Sequence, residues 1–137
     1  MPEVNRLSLE RGRAKFAYDC AVDGSKINKK KEYKSYVKKL PMLIKVNGLG
    51  ASISFINSKS EKDQNKKGYS YYLLSNHLTE WLTKSGTISL QENQGLADFI
   101  ISQPSQKYRH ITIEVLAFLA WLKRFAEGLI EGEAEGD

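Results

Sequence analysis

The segment that most restricts the fold is the last quarter of the chain. From Pro104 to Ile130 no helix breaker occurs before Gly128, and Pro104 stands where a first-turn proline is tolerated, because the amide it lacks would have no intrahelical partner. Val115, Leu116, Phe118, Leu119, Trp121, Leu122, Phe125 and Ala126 cover more than half the circumference of the helix this predicts, more than a surface helix needs. A rod apolar around so much of its girth is either wrapped by other helices or offers part of that face to another protein. The core is therefore expected to form around it.

The preceding residues supply the wrapping. Only three prolines occur in 137 residues, strand-like alternation is scarce, and apolar residues recur three and four apart. A first helix is expected from about Glu3 to Val22, with Val4, Leu7, Arg11, Ala14, Ala17, Tyr18 and Ala21 along one stripe, Cys20 beside it, and Asp23-Gly24 as a left-handed cap. A second should begin near Lys31, bury Tyr33, Tyr36, Val37, Leu40, Leu43 and Ile44, and end at Asn47-Gly48. Pro41 in its middle should kink it, or split it at Lys39-Leu40, because proline removes one hydrogen bond and crowds the carbonyl four residues back.

Leu49 to Ser58 reads as a short apolar helix, and residues 58–68 as a polar, mobile loop. From Tyr69 to Lys84, residues Tyr72, Leu73, His77, Leu78, Trp81 and Leu82 mark an amphipathic helix stopped by Ser85-Gly86. Thr87 to Leu90 has some strand character but no partner strand, so an extended loop is expected, then a short helix from about Gln94 to Ser102. The fold class is all-α: a single compact bundle of about five to six helices over residues 1–130, with a long C-terminal core helix and a disordered acidic tail at 131–137.

Composition narrows the functions. One cysteine cannot form an internal disulfide, and with only two histidines no thiolate-rich zinc site is available, so neither a metal nor a cofactor is expected. The longest apolar run, Val115 to Leu122, is too short to cross a bilayer and no signal-peptide pattern opens the chain, which points to a soluble cytoplasmic protein without a membrane partner. The net charge is +5, with the basic excess before the tail, a balance compatible with a polyanionic partner.

Reactive groups are sparse. His77 and Glu80 would share a helix face, but a half-buried histidine beside Trp81 is the simpler reading. Arg109 and His110 could suggest RNA cleavage, yet adjacent helical residues point about 100° apart, which favours a solvated or RNA-contacting pair. Gly48-Leu49-Gly50 lacks the lysine and hydroxyl of a phosphate-binding loop. No catalytic residue is assigned. The affirmative hint is basic: Lys29, Lys30, Lys31, Lys34, Lys38, Lys39 and Lys45 crowd the second helix with Tyr33 and Tyr36 interleaved, a combination that suits single-stranded RNA and equally an ordinary solvated face.

Three stretches in order carry a resemblance. They are Arg13-Ala14-Lys15-Phe16-Ala17; then Tyr33-Lys34-Ser35-Tyr36-Val37-Lys38-Lys39-Leu40-Pro41 leading to Asn47-Gly48-Leu49; then Tyr108-Arg109, Thr112-x-Glu114 and Trp121-Leu122-Lys123-Arg124-Phe125-Ala126. Together they resemble the small subunit family of the Cmr, RAMP-module, type III-B CRISPR effector complexes. The loop at 58–68 and the tail carry none of the pattern.

The resemblance implies a non-catalytic subunit of an antiviral, RNA-guided complex. Such a subunit stacks with further copies of itself along the RAMP-family backbone subunits and helps hold guide RNA and target RNA, with cleavage left to other subunits. Carried over onto matching positions, the candidates for RNA or subunit contact are Arg13, Lys15, Lys38, Lys39, Arg109, Lys123 and Arg124. Lys45 joins them because it lies two helical turns from Lys38 on the same polar side. The rival readings are a scaffold that binds only protein and, further off, a small helical RNase.

Overall fold

The computed structural model describes residues 2–132, with side chains described from residue 8 onward. Val4 and Leu7 of the expected first-helix stripe, and the tail beyond Gly132, lie outside the described side chains. Six helices follow in order: α1 (Pro2–Ser25), α2 (Lys30–Asn47), α3 (Leu49–Lys59), α4 (Gly68–Lys84), α5 (Leu96–Ile101) and α6 (Ser105–Leu129). No strand occurs among the described residues, and Thr87 to Leu90 belongs to the connection between α4 and α5. The all-α reading holds.

α6 is the central rod. Its strongest packing is against α1 and the next against α2, with α4 and α5 adding smaller contacts. Ile111, Val115, Phe118, Leu119, Leu122 and Ala126 are all fully buried, whereas Leu116, Trp121 and Phe125 are only partly covered. Each fully buried leucine or phenylalanine stabilises the fold by about 1.5–3 kcal/mol relative to an exposed one. The helix runs through Gly128 to Leu129, since one exposed glycine costs only about 1 kcal/mol and the burial of Ala126 and Ile130 on either side offsets it.

α1 lies parallel to α6: contacts advance in the same direction from Arg13–Glu114 through Phe16–Phe118 to Tyr18–Phe125. Its buried positions are Ala17, Cys20, Ala21 and Gly24, with Arg13 and Phe16 partly covered. Arg11 and Tyr18, placed on the stripe by the sequence reading, are exposed. Ala17 and Ala21 of the expected stripe are buried and Ala14 is half-buried, so the stripe holds at its small residues.

Gly24 is not a left-handed cap. It sits inside α1, buried, and a Cβ there would fall onto the Tyr33 ring. Positive backbone angles occur instead at Gly48 (φ 90°), between α2 and α3, and at Gly86 (φ 76°), after α4, where the sequence reading placed stops, and also at Asn93 and Gly132.

Pro41 does not divide α2, which continues from Lys30 to Asn47. A proline inside a helix costs about 3 kcal/mol. Here Tyr33, Tyr36 and Val37 before it, and Ile44 after it, all bury into one core, so packing holds both halves in register. Tyr108 closes the far end by accepting the Gly50 amide on its hydroxyl at 2.8 Å.

Candidate nucleic-acid interface

The eight basic candidates fall into three groups. Lys38, Lys39 and Lys45 are exposed on α2. Seven residues is close to two turns, so Lys38 and Lys45 stand on one side of the helix about 10 Å apart, and Lys31 precedes them at the same spacing. Met42 (64% exposed) and Val46 (70% exposed) occupy the same surface, so it is mixed, not purely ionic.

Arg109, Lys123 and Arg124 are exposed on α6, with Ile113 (61% exposed) between them. Fourteen residues separate Arg109 from Lys123, about 21 Å along one side of the helix. The Arg124 guanidinium lies 5.8 Å from the centre of the Trp121 ring, which stacks on Phe125, whose edge Tyr18 meets in turn. His110 is exposed next to Arg109.

Lys15 and Arg13 form the third group and behave differently. Lys15 is exposed and pairs with Asp19 one turn on, at 2.9 Å. Arg13 faces the bundle interior. Its Nε and Nη2 donate to Glu114 Oε2 and Oε1 at 2.7 and 2.8 Å, and the indole of Trp81 donates to the same carboxylate at 2.9 Å. The Glu114 hydrogen bond is the main reason the guanidinium pKa rises. Burial pushes the Glu114 carboxyl up, but the Arg13 and Trp81 hydrogen bonds with the Arg13 charge carry it below the usual range. This pair joins α1, α4 and α6. Lys34, counted with the α2 lysines in the sequence, is likewise internal: buried, it donates to the carbonyls of Ile130 at 3.0 Å and of Gly132.

His77 is buried, deeper than the half-buried position of the simpler reading, and its partner is not Glu80. Nδ1 accepts from the Tyr33 hydroxyl at 2.7 Å and Nε2 donates to Asp23 Oδ2 at 2.8 Å, while Glu80 is exposed. Burial lowers the imidazole pKa against the opposing pull of Asp23, so the ring is neutral at pH 7 and held between a phenol and a carboxylate. Burial also raises the Tyr33 phenol and the neighbouring Cys20 thiol, which leaves both protonated and unreactive.

Signals for these internal pairs were present in the sequence. Glu114 falls on the apolar stripe of α6, between Ile111 and Phe118, and a carboxylate there requires a cation or donors. An aromatic cavity of about 360 Å³, lined by Tyr36, Lys39, Leu40, Leu43, Phe55, Ile56 and Tyr71, had no sequence signature because α2, α3 and α4 each contribute to it. Tyr36 and Tyr71 stack in its wall at 3.7 Å between ring centres.

The comparisons with known proteins cover this same framework. The family profile described as CRISPR-associated protein (Cas_Cmr5) matches residues 9–129, from α1 to the last residue of α6. The chain belongs to the Cmr5 family. A curated relative, CRISPR system Cmr subunit Cmr5 of Thermus thermophilus, is 30% identical over 118 residues, spanning 86% of this chain and 92% of that one. A crystal structure of a CRISPR-associated Cmr5 family protein, also from Thermus thermophilus, superposes with a TM-score of 0.73 at 29% identity, covering 90% of this chain and 97% of the other. The Cmr small-subunit resemblance of the three sequence stretches therefore extends to the whole helical framework of this Cmr5 protein.

Proposed function

We propose that this Cmr5-family chain is a non-catalytic subunit of a type III-B CRISPR effector, stacking along the RAMP-family backbone subunits in the cytoplasm and neutralising phosphates of guide RNA and target RNA. The observation that carries the reading is the coincidence of a family match across residues 9–129 with an exposed set of family-motif cations at Lys38, Lys39, Arg109, Lys123 and Arg124. Lysine and arginine on solvated helix faces neutralise phosphates without reading bases, so the contact is sequence-tolerant and weakens with salt. Arg13 does not belong to this set: its guanidinium is committed to Glu114.

Affinity purification of the tagged chain from its native cell tests the assignment. Recovery of RAMP-family subunits together with short guide RNAs is the expected result; recovery of the chain alone at low salt would overturn it. A purely protein-binding scaffold is favoured by the apolar residues Met42, Val46 and Ile113 among the same cations. The variant Lys38→Glu/Lys39→Glu separates the two readings. Loss of target RNA binding by an assembled complex supports RNA contact, and loss of assembly supports the scaffold.

A further inference from the structure

The net charge of +5 is not spread along the chain. Residues 26–32 and 59–67 hold eight lysines against the three acids Glu32, Glu61 and Asp63, an excess equal to the whole +5, so the remaining residues balance. The two segments are far apart in sequence, and the fold brings them together. Asn28 Nδ2 donates to Asn65 Oδ1 at 3.0 Å, and Ser70 Oγ donates to the Lys29 carbonyl at 2.8 Å, so the α1–α2 turn and the α3–α4 loop form one pole of the bundle.

The loop has a defined shape. The Glu61 amide donates to the Gly68 carbonyl at 3.0 Å and the Lys66 amide to the Asp63 carbonyl at 3.1 Å, while the Asp63 carboxylate accepts the Asn65 amide at 2.9 Å. One of the three acids is thus engaged with the backbone. Lys26, Lys30, Lys62 and Lys66 are exposed around it. Next to the loop, on the first turn of α4, the half-buried rings of Tyr69 and Tyr72 lie 5.8 Å apart.

We propose that this pole is a second nucleic-acid site, separate from the α2 and α6 candidates, and that it takes the phosphodiester backbone of single-stranded RNA; the proposal rests on the RNA-guided reading above. Neither segment contains an arginine, so the pole presents point-like ammonium groups, which neutralise phosphates as single charges. The tyrosine pair favours a single strand, because unpaired bases can stack on an aromatic ring whereas those of a duplex are enclosed.

The test is fluorescence anisotropy of a labelled 20-nucleotide single-stranded RNA with the isolated full chain across a salt series. The pole variant is Lys26→Gln/Lys30→Gln/Lys62→Gln/Lys66→Gln and the comparison variant is Lys38→Gln/Lys45→Gln/Arg109→Gln. All these side chains are exposed, and unchanged circular dichroism and melting confirm folding. If each lysine neutralises one phosphate, the pole variant lowers the steepness of log K against log salt by about 2–3 and weakens low-salt binding about tenfold or more.

A pole variant that binds like the wild type while the comparison variant loses binding overturns the second site and leaves the proposed function standing. No binding by the wild-type chain at low salt also overturns it, and the purification with guide RNA then decides the proposed function on its own. Equal loss of duplex RNA overturns the single-strand preference. Competition by polyglutamate as effective as by RNA would replace RNA with an acidic protein partner.

Discussion

Arg13 and Glu114 meet in a two-pronged ion pair, Nε to Oε2 at 2.7 Å and Nη2 to Oε1 at 2.8 Å, although 101 residues separate them. Side-chain exposures of 15% and 7% place the pair at the edge of the core, where water screens it only partly. Trp81 completes the carboxylate's hydrogen bonding, so the buried acid of α6 is satisfied by α1 and α4 together. Both residues of the pair belong to the sequence stretches that mark the family. A charged position within a family motif can therefore serve the fold.

Removing one member of that pair should cost more than removing a surface ion pair. Glu114→Ala, which strands the guanidinium and the indole N–H, is expected to destabilise the chain by about 2–3 kcal/mol, below the full cost of a deeply buried pair because the site is partly wet. A double-mutant cycle with Arg13→Ala, read by denaturant unfolding, should return a coupling above about 1 kcal/mol. Additive losses would show that the two side chains do not depend on each other.

His77 gives stability a pH dependence whose sign is fixed by its burial. Its folded pKa lies below the ordinary 6.5, so below pH 6.5 the unfolded chain takes up a proton that the folded chain refuses. The contribution is therefore fully present above pH 6.5 and is lost as the pH falls towards the folded value. The melting temperature should drop between about pH 7.5 and pH 5, and His77→Gln should flatten that drop. The Glu114 contribution lies in a separate window: its pKa is lowered from 4.5, so that stability is lost only as the pH falls below 4.5. A wild-type melting temperature flat down to pH 5 would contradict the burial of a neutral imidazole.

The same substitution should act with opposite signs at two glycines. Gly24→Ala drives a methyl into the Tyr33 ring, and overpacking of this kind costs about 1–3 kcal/mol. Gly128→Ala meets nothing within 4 Å in the last turn of α6, and should stabilise the chain by about 0.5–1 kcal/mol through helix propensity. Chemical denaturation of the two single variants checks both.

Lys34 holds the end of α6 against α2. Lys34→Met keeps the aliphatic stem but leaves the Ile130 and Gly132 carbonyls without their donor, at an expected cost of about 1.5–3 kcal/mol for charge-assisted bonds. Hydrogen exchange should quicken selectively in the amides at the C-terminal end of α6. Uniform quickening throughout the bundle would assign the lysine a general role in stability instead.

The glycine and lysine cases show where sequence reasoning reached its limit. Gly48 and Gly86 were legible as stops because a helix end is a local event: the φ of 90° and 76° follows from the few residues around each. Gly24 has the same appearance, Asp-Gly after an amphipathic run, yet its role is set by the ring of Tyr33 from the next helix. Lys34 and Lys38 are indistinguishable in composition, one turn apart on α2. Only the position of the α6 terminus makes the first an internal clamp and leaves the second in solvent.

The sequence by itself determined the all-helical class, the approximate bounds of six helices, the central place of α6 and, through three ordered motifs, the family. These depend on periodicity, breakers and residue identity, which act over one or two helical turns. The tertiary structure decided which charged residues remain available to a partner. It engaged Arg13 and Lys34 in internal hydrogen bonds, gave His77 the partners Tyr33 and Asp23, and set the lysines of 26–32 beside those of 59–67. The reason is physical: whether a charge is satisfied internally depends on distances between elements that packing alone fixes.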